Sequence, residues 1–321
     1  MSQQKYAFTD EEFWKNYMVK WFGRDLIDFW QKHCEIFNVN SEDITLNVET
    51  FSQEGSNVPT IIFLHGIAGY ARLMLPFTSR LFKLGYNVVA PDLMGYGYNS
   101  EKHGHFTWDQ HVNNIIDVIN WAASHFKGDL FLGGASMGGP LAYATSCISQ
   151  KIKGTICWCL WDLQDPDFIK NQTNLGKIAL KAKGLFKFFG KALPSLRIPA
   201  PWVIGYETLS DPNEDIDEYV LNDRLAGRKI SLAGATSLMF QSEPAIKYED
   251  YEKDLLIVHP KNDLMVFPEF SRRIYRKLKQ NNKRGENIEY HEIEDCFHFP
   301  LDNKNYETFS GLVGRFISKT L

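Results

Sequence analysis

Leu130-Phe131-Leu132-Gly133-Gly134-Ala135-Ser136-Met137-Gly138-Gly139 opens on residues that read as a buried strand and passes into a helical run from Met137 to about Ser149. A serine flanked by small residues two before and two after, at a strand-to-helix junction, marks a turn too sharp for side chains to separate its arms. Its hydroxyl is then held out from strained backbone above the sheet edge. Standing alone, Gly134-Ala135-Ser136-Met137-Gly138 is equally a glycine-rich turn whose serine caps a helix, so the rest of the chain has to decide.

A serine hydroxyl is too weakly acidic to attack a carbonyl unaided, and needs a base with a carboxylate to orient it. Asp263 follows the apolar strand Leu255 to His259, within His259-Pro260-Lys261-Asn262-Asp263. Of nine histidines, His298, in Asp295-Cys296-Phe297-His298-Phe299-Pro300, alone lies on a loop after the last predicted strand. His259 and His291 fall on strands and read as structural, while Glu294 and Asp295 are too near His298 in sequence to displace Asp263 as the acid. The order serine, acid, base, with each residue at a strand end, is the order of one known arrangement. Upstream, Phe63-Leu64-His65-Gly66-Ile67 closes a strand and opens a loop through Ala68 and Gly69.

His65-Gly66, the stretch Pro91-Asp92-Leu93-Met94-Gly95-Tyr96-Gly97-Tyr98-Asn99-Ser100, the Ser136 turn with Gly139, Asp263 and His298 together resemble the α/β-hydrolase superfamily, in its monoacylglycerol lipase, lysophospholipase and carboxylesterase-like branch. The resemblance runs from about Ile44 to Leu321, with the first forty residues unmatched and 164–244 matched loosely. It departs at Ala135, where many relatives carry histidine, and the Asp92–Ser100 segment reads as scaffold. The resemblance implies Ser136 as nucleophile, His298 as general base, Asp263 as its orienting acid, and the Ile67 and Met137 N–H groups as the oxyanion hole.

The wider pattern agrees with a mostly parallel central sheet flanked by helices and carrying a helical cap insertion. Predicted strands are Ile44–Phe51, Thr60–Leu64, Asn87–Ala90, Leu130–Gly133, Gly154–Leu160, Leu255–His259 and Ile288–His291, alternating with helices. The alternation lapses over 164–244, which predicts a helical cap at the carboxyl edge where open α/β sheets bind ligands. Residues 41–163 and 245–321 form the expected core, and 1–40 an N-terminal helical extension. In that extension Thr9 with Glu12 suits a capping box and Phe8 with Phe13 a hydrophobic staple. Phe13, Trp14, Tyr17, Met18 and Trp21 fall on one helical face, which suits packing on the main domain and also a membrane-touching or substrate-guarding face, and a second helical pattern runs from Asp25 to about Phe37.

Composition narrows the classes. A net charge of −4 with no basic arm gives no electrostatic basis for binding nucleic acid. Five cysteines without ligand spacing predict free thiols in a reducing compartment, and with no leader-like N-terminus the expectation is cytoplasmic. Cys157 and Cys159 are expected on one packed face of a strand. His103, His105, Asp109 and His111 lack metal-site spacing, and Thr107 with Gln110 predicts a helix start there, so neither metal nor cofactor is expected. Leu130–Gln150 is uncharged, but its four glycines and one proline argue for a buried strand and helix rather than a membrane span.

Between Lys177 and Leu193 five lysines face one side of a predicted helix and Ile178, Leu185, Phe186, Phe189 and Leu193 mostly the other. That pattern suits a solvated face over an apolar underside, and also a helix that lines an acyl tunnel or touches a lipid surface, with Trp158, Trp161 and Trp202 nearby. The expected partner is a small-molecule carboxylic ester with a lipid-like or medium-chain acyl group, with peripheral membrane contact through the cap or N-terminal helices. A thioesterase, lactonase or acyltransferase with the same triad, and a ligand receptor of low turnover, remain open alternatives.

Overall fold

The computed structural model describes residues 12–42, 44–99, 103–280 and 287–321. The expected Thr9–Glu12 cap and Phe8–Phe13 staple lie outside the described residues and side chains, as does Ser100 at the end of the scaffold stretch. Two helices come first, α1 (Glu12–Phe22) and α2 (Asp25–His33), then strands β1 (Cys34–Ser41), β2 (Ile44–Phe51) and β3 (Thr60–Leu64). They are followed by α3 (Leu75–Lys83), β4 (Asn87–Pro91), α4 (Trp108–His125), β5 (Leu130–Ala135), α5 (Gly138–Ile148) and β6 (Ile152–Trp158). Next come α6 (Pro166–Gln172), α7 (Gly176–Lys181), α8 (Lys183–Ala192), β7 (Arg197–Pro199), α9 (Ile216–Asn222), β8 (Lys229–Ser231) and α10 (Leu232–Phe240). The chain closes with β9 (Asp254–Pro260), α11 (Pro268–Gln280), β10 (Ile288–Ile293) and α12 (Asn303–Thr320).

Eight strands form one sheet in the order β1-β2-β4-β3-β5-β6-β9-β10. The β1–β2 and β2–β4 pairs are antiparallel and every other pair is parallel. Every residue of β3, β4 and β5 is buried, as expected of parallel strands covered on both faces. The uncharged stretch from Leu130 resolves into β5 and α5; α5 is buried all round from Gly138 to Cys147, which is why it shows no amphipathic stripe. Among the described residues no helix is long and apolar enough to cross a membrane.

Because β4 lies on one side of β3 and β5 on the other, the strand order reverses at the β3/β5 junction. A crevice opens at such a point beyond the carboxyl ends of the strands. Gly66 follows β3 there and Ser136 follows β5.

Three expectations are corrected. The second helical pattern does not reach Phe37: α2 stops at His33, and Cys34–Ser41 pairs antiparallel with all of β2, from Cys34↔Phe51 to Ser41↔Ile44. Val39 and Ser41 turn inward while Glu35, Asn38 and Asn40 stay exposed, so the end of the 1–40 segment is an edge strand of the main sheet. The 164–244 segment holds the helices α6 to α10, but also a β7–β8 ribbon of three-residue strands, too short to leave a periodic trace. The helix expected over 177–193 is two, broken at Ala182. Of the apolar residues expected underneath, Phe186 is half-buried against the core, while Ile178, Leu185, Phe189 and Leu193 are exposed, together with Phe188, Leu196 and Trp202.

Helices α1 and α2 are packed onto the core around a buried ion pair. Arg72 Nε bonds Glu49 Oε1 at 2.6 Å with both side chains essentially inaccessible, and the guanidinium lies 4.2 Å from the Trp30 ring. Trp30 Nε1 donates to the second Glu49 oxygen at 2.9 Å.

Candidate active site

Ser136 adopts φ +54, a left-handed conformation that costs a non-glycine residue energy. The neighbours over-determine it. Its N–H donates to Trp158 O at 3.0 Å and its carbonyl accepts from Gly139 N at 2.7 Å. A Cβ on Gly138 would stand 2.6 Å from Leu64 O and 2.8 Å from His65 O, and one on Gly134 would collide with Gly138 O. Only glycine at these two positions lets β3, β5 and α5 close up around the turn. Ser136 itself remains half-buried, facing the crevice.

Asp263 and His298 arrive from loops after β9 and β10. Asp263 Oδ1 accepts from the Met265 and Val266 N–H groups at 2.9 and 2.8 Å. Its Oδ2 lies 2.7 Å from His298 Nδ1, and His298 Nε2 lies 2.8 Å from Ser136 Oγ. The His298 backbone is fixed by Trp158 Nε1, which donates to its carbonyl at 2.8 Å. Burial alone would raise the Asp263 carboxyl, but the charge of His298 and hydrogen bonds from His259 and His298 outweigh it and hold the group well below the usual carboxylate range. An ionised Asp263 accepts from Nδ1–H and so fixes the tautomer that turns the Nε2 lone pair towards Ser136.

His65 is buried, with Nδ1 2.7 Å from Gly66 O and Nε2 accepting from Leu93 N at 2.8 Å. Burial lowers its pKa to about 3, so it is a neutral pin for the loop that follows β3. In that loop Ala68 sits at φ +60 and Gly69 N bonds back to Gly66 O at 3.1 Å. Neither the Ile67 nor the Met137 N–H is taken up by the turn and loop hydrogen bonds of the described residues. Both residues line the space beside Ser136.

Two contacts escaped the sequence. Cys159 lies past the end of β6 at φ +67, not on its face, and its Sγ is 3.5 Å from Asp263 Oδ2 and 4.0 Å from His298 Nδ1. Cys157 instead packs in a separate apolar cluster with Leu160 and Ile257, so the shared face expected for the two thiols is corrected. His259 lies 3.4 Å from Asp263 Oδ2 through Nε2, which is also 2.8 Å from Val266 O, so that nitrogen carries a proton facing two acceptors. Asp263 being only four residues past His259 was the one available hint.

Cys159, Asp263 and His298 form the one group of three metal-ligand types that converges among the described residues. Its carboxylate and imidazole are already hydrogen-bonded to each other, so a cation would have to part them. His103, His105, Asp109 and His111 do not converge; His111 is buried, stacked on Phe106 at 4.3 Å and 3.0 Å from Met94 O, and Thr107 with Gln110 forms the expected capping box. His291 pairs with Glu289 on β10.

Two cavities meet at Ser136. The larger, about 800 Å³ when its mouth open to solvent is included, is lined by Tyr17, Leu73, Trp158, Tyr219, His298 and Phe299 among others. The smaller, about 620 Å³ on the same measure, is lined by Met137, Trp161, Phe168, Leu238 and Met239 among others. Ile67, Ile204 and Met265 border both. Neither takes a lining residue from 177–193 or from Trp202, so the tunnel role considered for that helix is not what the cavities display.

The profile of the family described as serine aminopeptidase, S33, matches residues 55–302. Phospholipase YtpA of Bacillus subtilis (strain 168) is 28% identical over 243 residues, 74% of this chain and 88% of its own. An uncharacterized 31.7 kDa Escherichia coli protein is 30% identical over 119 residues, 35% of this chain, and the match spans 41% of that protein's length. The crystal structure of Paleococcus ferrophilus monoacylglycerol lipase superposes with a TM-score of 0.66 at 20% identity, covering 87% of this chain and all of that one.

Proposed function

The chain belongs to the serine aminopeptidase S33 family of α/β-hydrolases, and from that premise we propose that it is a serine hydrolase cleaving carboxylic esters with a lipid-like or medium-chain acyl group. The observation that carries the reading is the unbroken hydrogen-bond relay from Ser136 Oγ through His298 to Asp263, opening on two apolar cavities. In the proposed reaction Ser136 Oγ attacks the carbonyl carbon while His298 Nε2 takes its proton. The negative oxygen that forms is received by the Ile67 and Met137 N–H groups, donors whose individual loss costs on the order of 10²–10³ in rate at such sites. His298 then protonates the leaving alcohol, and water, deprotonated by the same nitrogen, releases the acid from the acyl-enzyme.

Residues 164–244 act in this reading as the cap. Exposed Leu185, Phe188 and Phe189 on α8 and Leu193 just past its end, beside Lys183, Lys187 and Lys191, support contact between this cap and a lipid surface, since an apolar face edged by cations suits an interface with anionic lipid. The phospholipase and monoacylglycerol lipase names among the similar proteins point the same way. The test is hydrolysis of p-nitrophenyl esters from acetyl to dodecanoyl by the parent and by Ser136→Ala. A rate maximum at medium chain length that vanishes in the variant is expected. Strict preference for acetyl would remove the lipid-like substrate from the account.

A further inference from the structure

Helix α1 lies outside the 55–302 segment that the family profile matches, yet it reaches the cavity beside Ser136. Tyr17 is 4% exposed, lines the larger cavity with Ser136 and His298, and sets its ring 6.0 Å from that of Phe299, the residue after His298. The helix is anchored on two sides. Inside, Trp14 and Met18 are wholly buried. Outside, Lys20 bonds Asp215, Trp21 Nε1 donates to Glu214 Oε2 at 2.9 Å, and the Trp21 ring meets Tyr219 edge-on at 5.0 Å. Tyr219, Val220 and Ile216 of α9 line the same cavity. The wall on this side is therefore a two-helix seam, with α9 contributing one half and an N-terminal helix outside the family match the other. Among the described side chains, none of α1 lines the smaller cavity.

We propose that Tyr17 is a specificity-determining residue, whose ring limits the bulk of the substrate group lodged in the larger cavity. This rests on the reading of Ser136 as the nucleophile of an ester hydrolase. A buried aromatic ring on an anchored helix is a stiff wall, and close-packed surroundings do not shift to admit extra carbons. A substrate group that meets the ring is excluded rather than accommodated, and only one of the two halves of the ester feels it.

The test uses the full chain and its variants Tyr17→Phe, Tyr17→Leu and Tyr17→Trp, measuring kcat/KM over two ester series, one varying the acyl group and one the alcohol. Tyr17→Leu is expected to shift the optimum of one series to bulkier groups, raising their rate relative to the parent's preferred substrate by about 10-fold, the scale of one or two methylenes. Tyr17→Trp should shift the same series the other way, and Tyr17→Phe, which keeps the ring, should retain the parent's profile. Trp21→Ala, which loosens the outer anchor and leaves Tyr17 in place, should relax discrimination in that same series even if Tyr17→Leu does not fold. An active parent whose variants scale all substrates in parallel, or shift in the same direction with Leu and Trp, overturns the inference alone. A parent that hydrolyses no ester overturns the Ser136 reading and this inference with it.

Discussion

The Cys159 thiol and the Asp263 carboxylate stand 3.5 Å apart in a buried cluster, so a weak S–H donor faces the oxygen that also receives His298. Burial, then the nearby Asp263 charge, push the thiol well up, which keeps it protonated and donating. Cys159→Ala removes one donor from that oxygen, and kcat is expected to fall about 2–5-fold with KM unchanged, the scale of one ordinary hydrogen bond, since a thiol is a weak donor. Cys159→Ser supplies a hydroxyl in its place and should recover most of the loss. Equal losses in both variants would show that packing, not hydrogen bonding, is what the thiol contributes.

Asp263→Asn leaves the shape of the site intact but offers an N–H to His298 Nδ1. The imidazole then has its proton on Nε2, facing Ser136 with a donor instead of a lone pair. Ester hydrolysis is expected to fall on the order of 10⁴-fold in kcat in the fraction of the variant that is folded. A loss below 10-fold would detach Asp263 from the relay proposed here.

Glu49 is the test of the N-terminal packing. Glu49→Ala removes the buried carboxylate that Arg72 Nε and Trp30 Nε1 share, and unfolding in urea should show a loss of about 3–5 kcal/mol, as for a broken buried pair. Replacing both residues together, Glu49→Leu with Arg72→Met, should cost much less than the single change. A double variant as unstable as Glu49→Ala would contradict the ion-pair account.

The pH dependence of stability has a contribution that can be isolated. Burial lowers the His111 pKa to about 4 in the folded chain, against about 6.5 unfolded. Between those values the unfolded state binds the extra proton, so this group destabilises the fold as pH falls from 7, by about 2 kcal/mol at pH 5. His111→Gln, with nothing to titrate there, should lose about 2 kcal/mol less between pH 7 and pH 5 than the parent in denaturant unfolding. A slope equal to the parent's would place the acid sensitivity elsewhere.

The sheet and the relay were legible for different reasons. Fully buried strands such as Thr60–Leu64 leave unbroken apolar runs, and the Ser136 turn needs glycine at two positions that a Cβ would block. Asp263 and His298 could be picked because each ends a predicted strand in the right order. What stayed hidden depends on neighbours across the sheet. Strand β1 is an edge strand, and its pairing with β2 carried more weight than the helical spacing that runs on to Phe37. Cys159 reaches Asp263 only because β6 stops at Trp158 and the next residue turns to positive φ beside β9. The apolar helical face that carries Tyr17 is legible, and a substrate-guarding role is one reading of it, but nothing local marks which of its residues reaches a cavity beside Ser136, 119 residues away in sequence.

The central claim is that Ser136 is a nucleophile activated by His298. Labelling with a fluorophosphonate probe, read by intact mass and peptide mapping, addresses it without knowledge of the natural substrate. One covalent adduct on Ser136 in the folded parent is expected, with none in Ser136→Ala and a labelling rate lowered by on the order of 10³-fold or more in His298→Ala. A folded parent that takes up no probe, or a Ser136→Ala variant labelled as fast as the parent, would contradict the account.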